Sequence, residues 1–352
     1  RYSNVCARCP EQRPVETQFA LNCMGEFDLI TRYFKRPSQR AVLGVGDDCA
    51  LLAPTPGMHM AVSSDMLVEG RHFLSTVDPA RLGHKALAVN LSDLAACGAE
   101  PTAFTLALSL PRIDEVWLEG FSEGLLQLAN EHHCELVGGD TTQGPLNICI
   151  TAFGEVPPGD ALLRQNAQVG DDIYVSGTVG DARLALEVFR GLQTLDAKSF
   201  ESVRTRMEMP TPRIALGLAL RAIANAAIDV SDGLLGDLGH ILQRSQVGAQ
   251  IDTTWLQQSN TFGEDAQAAG ISPTLAQLPW NKRLEFALAG GDDYELCFTA
   301  PVHQREMVHA AAWESNTPVT RIGRITEAQG LVVMDPEGQP ITRRFASFDH
   351  FA

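Results

Sequence analysis

The stretch GVGDD, from Gly44 to Asp48, ends in two adjacent carboxylates. Apolar residues stand on both sides of it, at positions 41–43 and 50–52. An apolar run that closes on a glycine-rich bend is typical of a buried strand meeting a turn. The sequence therefore predicts a buried strand that delivers this pair of acids to its end.

The same construction recurs at five further places, where an apolar run closes on an acid beside glycine or serine. One such acid alone is typical of a helix cap or a turn. Six of them suggest that the acids converge, and converging carboxylates need a counter-charge such as Mg²⁺, which prefers oxygen ligands. The five further places are AVSSD at Asp65, AVNLSD at Asp93, LVGGD at Asp140, AIDVSD with Asp229 and Asp232, and LAGGDD with Asp292 and Asp293.

Composition limits the classes of protein that fit this chain. Its 352 residues are 45% hydrophobic and 20% charged, which favours two globular domains. A formal charge of −16 without a basic run argues against nucleic-acid binding and against attraction to an acidic membrane surface. No apolar run has the length of a membrane span or of a signal-peptide core, and most of the eight cysteines stand singly, so we expect a cytoplasmic protein with reduced thiols.

The alternation of helical and extended patterns predicts an α/β chain of two domains. We expect residues 1–23 to be a disordered or artificially added extension, 24–158 an N-terminal ATP- and Mg²⁺-binding and dimerisation domain, and 159–352 a C-terminal α/β domain. The boundary falls at Pro157-Pro158-Gly159-Asp160. The predicted helices cover 25–34, 80–89 and beyond, 115–132 and 213–226, and the predicted strands include 59–63, 103–110, 147–156, 172–176, 320–325 and 330–334.

The common phosphate-binding and nucleophilic motifs are missing from the sequence. There is no GxxxxGK[ST], no HRD with DFG, no GxGxxG opening a Rossmann unit, and no GxSxG with a matching acid and histidine. P-loop, protein-kinase, Rossmann and α/β-hydrolase proteins are therefore disfavoured.

The acidic motifs occur in a fixed order: GVGDDCALL, AVSSDMLVEGRHF, AVNLSDLAACGA, LVGGDTTQGP, AIDVSDGLLGDLGHI and GGDDYELCF. In this order the sequence closely resembles the thiamine-monophosphate kinase family, from Met24 to Ala352. That family belongs to the ATP-binding superfamily of aminoimidazole ribonucleotide synthetase and selenophosphate synthetase. The resemblance implies a two-domain α/β (α+β) fold of the aminoimidazole ribonucleotide synthetase type. It also implies a homodimer whose N-terminal sheets pair, with the active site between the domains and near the dimer interface.

The activity implied is ATP-dependent phosphorylation of thiamine monophosphate to thiamine diphosphate, assisted by several Mg²⁺ ions, as the last step of thiamine diphosphate biosynthesis. The site residues implied fall into three groups. The Mg²⁺ ligands would be Asp48, Ser63, Ser64, Asp65, Asp93, Asp140, Asp229 and Asp232. The contacts to ATP would be Gly139, Asp140, Arg164 and Ser231. The contacts to thiamine phosphate would be His72, Asp292 and Phe348.

Two positions depart from the family pattern. Asp292 stands where the family usually has Glu, and Phe348 stands where it often has Tyr or Trp. Both concern substrate contacts rather than phosphoryl transfer.

The chemistry implied needs no strong general base, because the attacking atom is a phosphate oxygen that is already ionised at neutral pH. Two alternatives stay open from the residues themselves. The chain could be a synthetase of the same superfamily that acts on another phosphate acceptor. It could also be a non-catalytic protein that binds a nucleotide or a divalent metal.

Overall fold

The structure is a computed structural model that describes residues 25–257 and 270–345. The expectation about residues 1–23 and the assignment of Phe348 to the substrate lie outside the described residues. Among the residues that are described, no helix combines the length and the apolar character that a membrane crossing requires.

The first half of the chain builds a four-stranded sheet with helices packed on one face. The strand order is β1-β4-β2-β3, and only the β2–β3 pair is parallel. The elements are α1 (Glu26–Leu29), a π-helical turn (Ile30–Phe34), β1 (His59–Val68), α2 (Pro79–Ala96), β2 (Glu100–Leu110), α3 (Glu115–Glu131), β3 (Glu135–Gln143) and β4 (Asn147–Val156).

The second half builds a six-stranded sheet in the order β10-β7-β9-β5-β8-β6, where only β10–β7 is parallel. It is a mixed α/β unit, as predicted. The elements are β5 (Asp172–Ser176), α4 (Asp181–Phe189), α5 (Ala197–Glu208), α6 (Ile214–Ala219), β6 (Ala226–Asp229), α7 (Leu234–Ser245), β7 (Gly248–Asp252), a 3-10 turn (Thr253–Leu256), α8 (Pro273–Ala276), α9 (Trp280–Ala289), β8 (Leu296–Ala300), a 3-10 turn (Val302–Gln304), α10 (Arg305–Glu314), β9 (Val319–Thr326) and β10 (Gly330–Met334).

Helix α2 is the central element. It starts where the sequence predicts, because Asp78 accepts hydrogen bonds from the amides of Ala80 and Arg81 while Pro79 occupies the first helical turn. Almost every side chain from Leu82 to Ala96 is buried, polar ones included. The helix packs against α3 and strand β4 on one side and against α6 and β6 on the other, so it joins the two halves.

The packing of α2 on α3 depends on two glycines. A Cβ on Gly83 would lie 2.0 Å from the Phe121 carbonyl oxygen, and one on Gly124 would lie 1.8 Å from the Ala80 carbonyl oxygen. Neither distance can hold a methyl group, so the two helices approach to backbone contact at these positions.

Several sequence predictions are confirmed, including the start of the helix at Glu115 and the bounds of the strands over 147–156, 172–176 and 330–334. The predicted strand before GVGDD is wrong. Within 41–52 only isolated bridges form, such as Leu43 with Leu51, and Val42 is 70% exposed. The reason is a contact with a distant part of the chain: the Glu135 carboxylate, at the start of β3, accepts hydrogen bonds from the amides of residues 39–41, so these amides are not available to a neighbouring strand. The helix after Pro212 also ends earlier than predicted, at Ala219.

We predict that Gly124→Ala lowers the thermal midpoint, because overpacking costs roughly 1–3 kcal/mol. The matched control is Gly239→Ala in α7, where an added Cβ meets nothing within 4 Å. That variant should raise the midpoint slightly, since alanine favours a helix over glycine by about 1 kcal/mol. Differential scanning fluorimetry gives both values, and equal shifts in the two variants would contradict the close approach.

Candidate functional site

A cluster of carboxylates lies where β1, α2 and β6 meet. Ser63 and Asp65 lie on the face of β1 that turns toward α2, and the Ser63 hydroxyl donates a hydrogen bond to Asp93. The backbone amide of Asp65 donates to the Asn90 side-chain oxygen at 3.1 Å. Asn90 is itself fully buried in α2, so the helix fixes both the strand and the acid beside it.

The second half of the chain contributes Asp229, the last residue of β6. Ser92, the neighbour of Asp93 on α2, donates to the Asp229 carboxylate at 2.8 Å. This hydrogen bond brings an acid of one domain beside the acids of the other. Asp232 follows three residues later in the turn before α7, and its charge acts on Asp65.

The electrostatics of this cluster are unfavourable without a cation. Burial raises the pKa of Asp229 to about 8, and the charges of Asp93 and Asp65 add to the effect. Burial likewise raises the pKa of Asp65, together with the charge of Asp93. The pKa of Asp93 is raised by burial, although the Ser63 hydroxyl and the charge of Arg164 act in the opposite direction. Carboxylates in this state gain from a bound cation.

The donor set suits Mg²⁺, because it consists of carboxylate and hydroxyl oxygens. In residues 25–257 and 270–345, however, no group of three or more His, Cys, Asp or Glu side chains already has the arrangement of a metal site. The assignment of individual residues to Mg²⁺ and ATP therefore stays a prediction.

The turn that carries Ser231 and Asp232 is held by a residue to which the sequence pattern assigned no role. One carboxylate oxygen of Asp237 accepts the amides of Ser231, Asp232 and Gly233, at 3.0–3.1 Å. Burial raises the pKa of Asp237 to about 6, and the three N–H donors oppose that rise. The role of Asp237 could have been predicted from the sequence, because it is an acid in the first turn of the helix that follows SDG. Backbone amides in the first turn of a helix have no partner within the helix and can donate to a carboxylate.

A cleft with a volume of about 1030 Å³ opens beside the cluster. Its lining includes Asp65, Asp93 and Asp229 together with the predicted substrate contacts His72 and Asp292. The imidazole Nδ1 of His72 accepts the Val68 amide at 2.9 Å, which leaves the ring proton on Nε2 in the neutral form.

The sequence analysis did not predict a role for two further residues of this cleft. Lys85 of α2 is only 3% exposed, and its ammonium lies 3.1 Å from the Asp292 carboxylate. The Tyr294 hydroxyl donates to the other oxygen of Asp292 at 3.2 Å. Burial and the nearby charges of Asp292, Asp65 and Asp229 raise the pKa of Tyr294, so the phenol stays protonated.

Three predicted residues lie elsewhere. Asp48, Gly139 and Asp140 line a separate pocket of about 590 Å³ beside strand β3. Gly139 has φ of +147°, and a Cβ there would lie 1.8 Å from the Leu106 carbonyl oxygen, so only glycine fits.

The strand register shows how far apart the two groups are. Asp65 on β1 pairs with Ile150 on β4, Ile150 with Leu106 on β2, and Leu106 with Gly139 on β3. Three strand spacings separate the two edges, or about 14 Å. A single protomer therefore does not gather all of the predicted ligands at one point.

Ser64 and Arg164 take different positions again. Ser64 points to the opposite face of the sheet from Asp65, where its hydroxyl donates to the Ile150 carbonyl at 3.2 Å. Arg164 is exposed and lines a third pocket, of about 450 Å³, that also reaches Asp93. Ser231 borders the large cleft next to Asp232.

Comparison with known proteins identifies the class to which this fold and site belong. Residues 46–156 match the N-terminal domain of AIR synthase related proteins, and residues 168–336 match the C-terminal domain. The chain is thus a two-domain AIR synthase related protein. The placement of the domain boundary at 158/159 stays our prediction.

Within that class the relationship is narrower. The chain is 47% identical over 333 residues to the thiamine-monophosphate kinase of Escherichia coli (strain K12), covering 93% of this chain and 98% of that one. It belongs to the thiamine-monophosphate kinase family and is a kinase, which confirms the resemblance seen in the sequence.

Solved structures of related proteins are similar to this chain in fold as well as in sequence. The thiamine-monophosphate kinase of Stenotrophomonas maltophilia K279a matches with a TM-score of 0.76 and 46% identity, over 86% of this chain and 92% of that one. A structure of AaThiL complexed with AMPPCP and TMP matches with a TM-score of 0.69 and 30% identity, over 85% and 89%.

We predict that metal-free protein loses stability as the pH rises. The folded pKa of Asp229, about 8, exceeds its unfolded value of 3.8, so between these values the folded state binds more protons than the unfolded state. The contribution of Asp229 to stability is therefore fully present below about pH 4 and is lost as the pH rises toward 8. Thermal melts in EDTA should show this fall, and added Mg²⁺ should raise the midpoint more at pH 8 than at pH 5.

The control for this prediction is Asp229→Asn, which removes the titrating group and should flatten the dependence on pH. Identical slopes for the wild type and the variant, with an Mg²⁺ effect independent of pH, would contradict the electrostatic account of the cluster.

Proposed function

We propose that this kinase transfers the terminal phosphoryl group of ATP to thiamine monophosphate and releases thiamine diphosphate and ADP. The observation that carries the proposal is the set of carboxylates with raised pKa, Asp65, Asp93 and Asp229, beside a large cleft between the domains. Membership of the family supports it, as does the related protein crystallised with AMPPCP and TMP.

Asp65, Asp93, Asp229 and Asp232 would hold Mg²⁺ ions, with the Ser63 hydroxyl beside them. When bound, such ions neutralise the phosphate charges that otherwise keep two anionic substrates apart. Arg164 would add a further positive charge. Its guanidinium lowers the pKa of Asp93 and lines the neighbouring pocket, where it can bind a phosphate through two hydrogen bonds.

No side chain has to remove a proton from the acceptor. The attacking phosphate oxygen is ionised at neutral pH, so positioning and charge neutralisation carry the reaction in an in-line transfer. His72 and Asp292 would contact the acceptor in the cleft, and Phe348 stays a proposed contact outside the described residues.

The remaining ligands suggest that the active site needs a second copy of the chain. Strands β1 and β3 form the two edges of the first sheet, with Asp65 on one edge and Asp140 on the other. The face of β1 turned away from α2 carries exposed Val62 and Met66, which is unusual for a surface left to water.

We propose a homodimer in which the first sheets of two copies close on each other, so that β3 of one copy lies near β1 of the other. This arrangement covers the apolar face and removes both open edges. It also brings Asp48 and Asp140 of one copy toward Asp65 and Asp93 of the other. A cytoplasmic location and the absence of nucleic-acid and membrane partners stay predictions from the sequence.

We predict that Asp93→Asn lowers turnover by at least about a hundredfold, because an amide cannot replace the carboxylate charge at the phosphates. Oxidation of the products to thiochromes, followed by separation, measures thiamine diphosphate formed from Mg-ATP and thiamine monophosphate. The exposed Asp160→Asn serves as the matched control. Near-normal turnover in Asp93→Asn, with a normal thermal midpoint, would contradict the role of the cluster.

The shared site gives a separate prediction. Asp48→Asn and Asp93→Asn should each be inactive alone, but when the two are mixed after reversible unfolding, activity should return. In a mixed dimer one of the two sites receives an intact Asp93 from one copy and an intact Asp48 from the other, so statistical mixing should restore about a quarter of the wild-type rate. If a verified mixed dimer recovers no activity, each site must take both acids from the same protomer, and the proposal of a shared site would be wrong.

A further inference from the structure

Lys85 is a charged side chain in a place where charge is costly. It sits on α2 with 3% of its surface exposed, in a helix whose neighbouring residues are nearly all apolar and buried. An ammonium removed from water loses several kcal/mol of hydration unless partners replace it. A lysine that only supported packing would be replaceable by an apolar residue, so its partners indicate its purpose.

The partners of Lys85 come from two different walls of the cleft. Its ammonium donates to the Asp292 carboxylate at 3.1 Å and to the His72 backbone carbonyl at 3.2 Å. Asp292 belongs to the loop before β8, whereas His72 belongs to the loop after β1. Lys85 therefore joins the two segments that carry the predicted acceptor contacts.

Asp292 is held on both of its oxygens. Lys85 bonds Oδ2 and the buried Tyr294 hydroxyl bonds Oδ1, while the Asp292 amide donates to the Ser231 carbonyl at 2.8 Å. The backbone of Asp292 has φ of +67°, a strained value for a residue with a side chain. About a third of the side chain, 36%, is still exposed. A carboxylate fixed in this way keeps lone pairs for a ligand in the cleft.

The position along α2 relates this group to the acid cluster. Lys85, Val89 and Asp93 are spaced four residues apart and all line the cleft, so they form one stripe of the helix. Eight residues of helix cover about 12 Å. The backbones of Lys85 and Asp93 are thus about 12 Å apart on α2, while the Asp292 amide bonds the Ser231 carbonyl beside Asp232, so the pair and the acids border one cleft, as contacts to the two ends of one phosphate ester require.

The charge of the pair indicates what it recognises. Because Lys85 already balances the charge of Asp292, the carboxylate acts as an oriented hydrogen-bond acceptor more than as an unpaired anion. An oriented acceptor suits an N–H donor, and thiamine monophosphate carries an exocyclic amino group on its pyrimidine ring.

We propose that Lys85 is a positioning residue for the acceptor: together with Tyr294 it orients the Asp292 carboxylate to accept a hydrogen bond from the amino group of the acceptor's ring. The inference rests on the proposed function. It adds an explanation of how the same cleft would select an acceptor that carries a ring amino group.

The test compares Lys85→Met, Lys85→Arg and Tyr294→Phe, with the exposed Lys198→Met as the matched control. Steady-state kinetics are measured with thiamine monophosphate and with oxythiamine monophosphate, in which oxygen replaces the amino group. We expect Lys85→Met to raise the KM for thiamine monophosphate about tenfold, with kcat and the KM for ATP within about twofold of the wild type. Lys85→Arg, which keeps the charge, should recover most of that loss, and Tyr294→Phe should give a smaller change of the same kind.

The preference for thiamine monophosphate over its oxy analogue should also fall in Lys85→Met, which a purely structural role would not produce. An unchanged preference, or an equal loss in kcat and in the KM for ATP, would overturn the role of Lys85 even in an active enzyme. A wild type that forms no diphosphate would instead overturn the proposed function, and this inference with it.

Discussion

The repulsion among Asp65, Asp93 and Asp229 is the constraint on which the rest of the molecule depends. Burial raises the pKa of all three carboxylates, and the charge of Asp93 adds to the rise at Asp65 and at Asp229. Holding three such carboxylates together lowers the free energy of unfolding unless a bound ligand compensates for the loss. In the function we propose, a bound cation and the phosphates that accompany it would recover that loss.

Helix α2 is the element that makes the arrangement possible. Its buried Asn90 holds β1 and its buried Ser92 holds Asp229, so a single turn of one helix fixes acids from both halves of the chain. Two glycines let α3 approach to backbone contact behind it. Lys85, two turns before Asp93, extends the same helix face along the cleft to Asp292. One helix thus carries residues of both the proposed phosphate-binding end and the proposed acceptor end of the site.

The sequence predicted the parts of this architecture that local signals determine. Asp78 followed by Pro79 marks the start of α2, and the alternating pattern of 147–156 gives β4 with its true bounds. The six acidic motifs, read in order, led to the family. Period-two alternation also places Ser63 and Ser64 on opposite faces of β1, so their separation follows from the strand itself.

Other parts depended on information that a linear pattern does not contain. The separation of Asp65 from Asp140 requires the strand order β1-β4-β2-β3, which follows from the three-dimensional crossovers. The apolar residues around GVGDD suggested burial, yet in one protomer they are exposed, as expected if a second copy covers them. Lys85 and Asp237 look like ordinary helix-surface charges in sequence, and only their contacts with Asp292 and with the 231–233 turn show otherwise.

The central claim is that the acid cluster binds the metal ions and is completed by a second copy of the chain. Anomalous diffraction from Mn²⁺ in crystals grown with AMPPCP and thiamine monophosphate would test it most directly, because Mn²⁺ takes the same oxygen ligands as Mg²⁺. The account predicts Mn²⁺ peaks bounded by Asp65, Asp93 and Asp229 of one copy and by Asp48 or Asp140 of another. Peaks confined to other residues, or a cluster without metal while both substrates are bound, would contradict it.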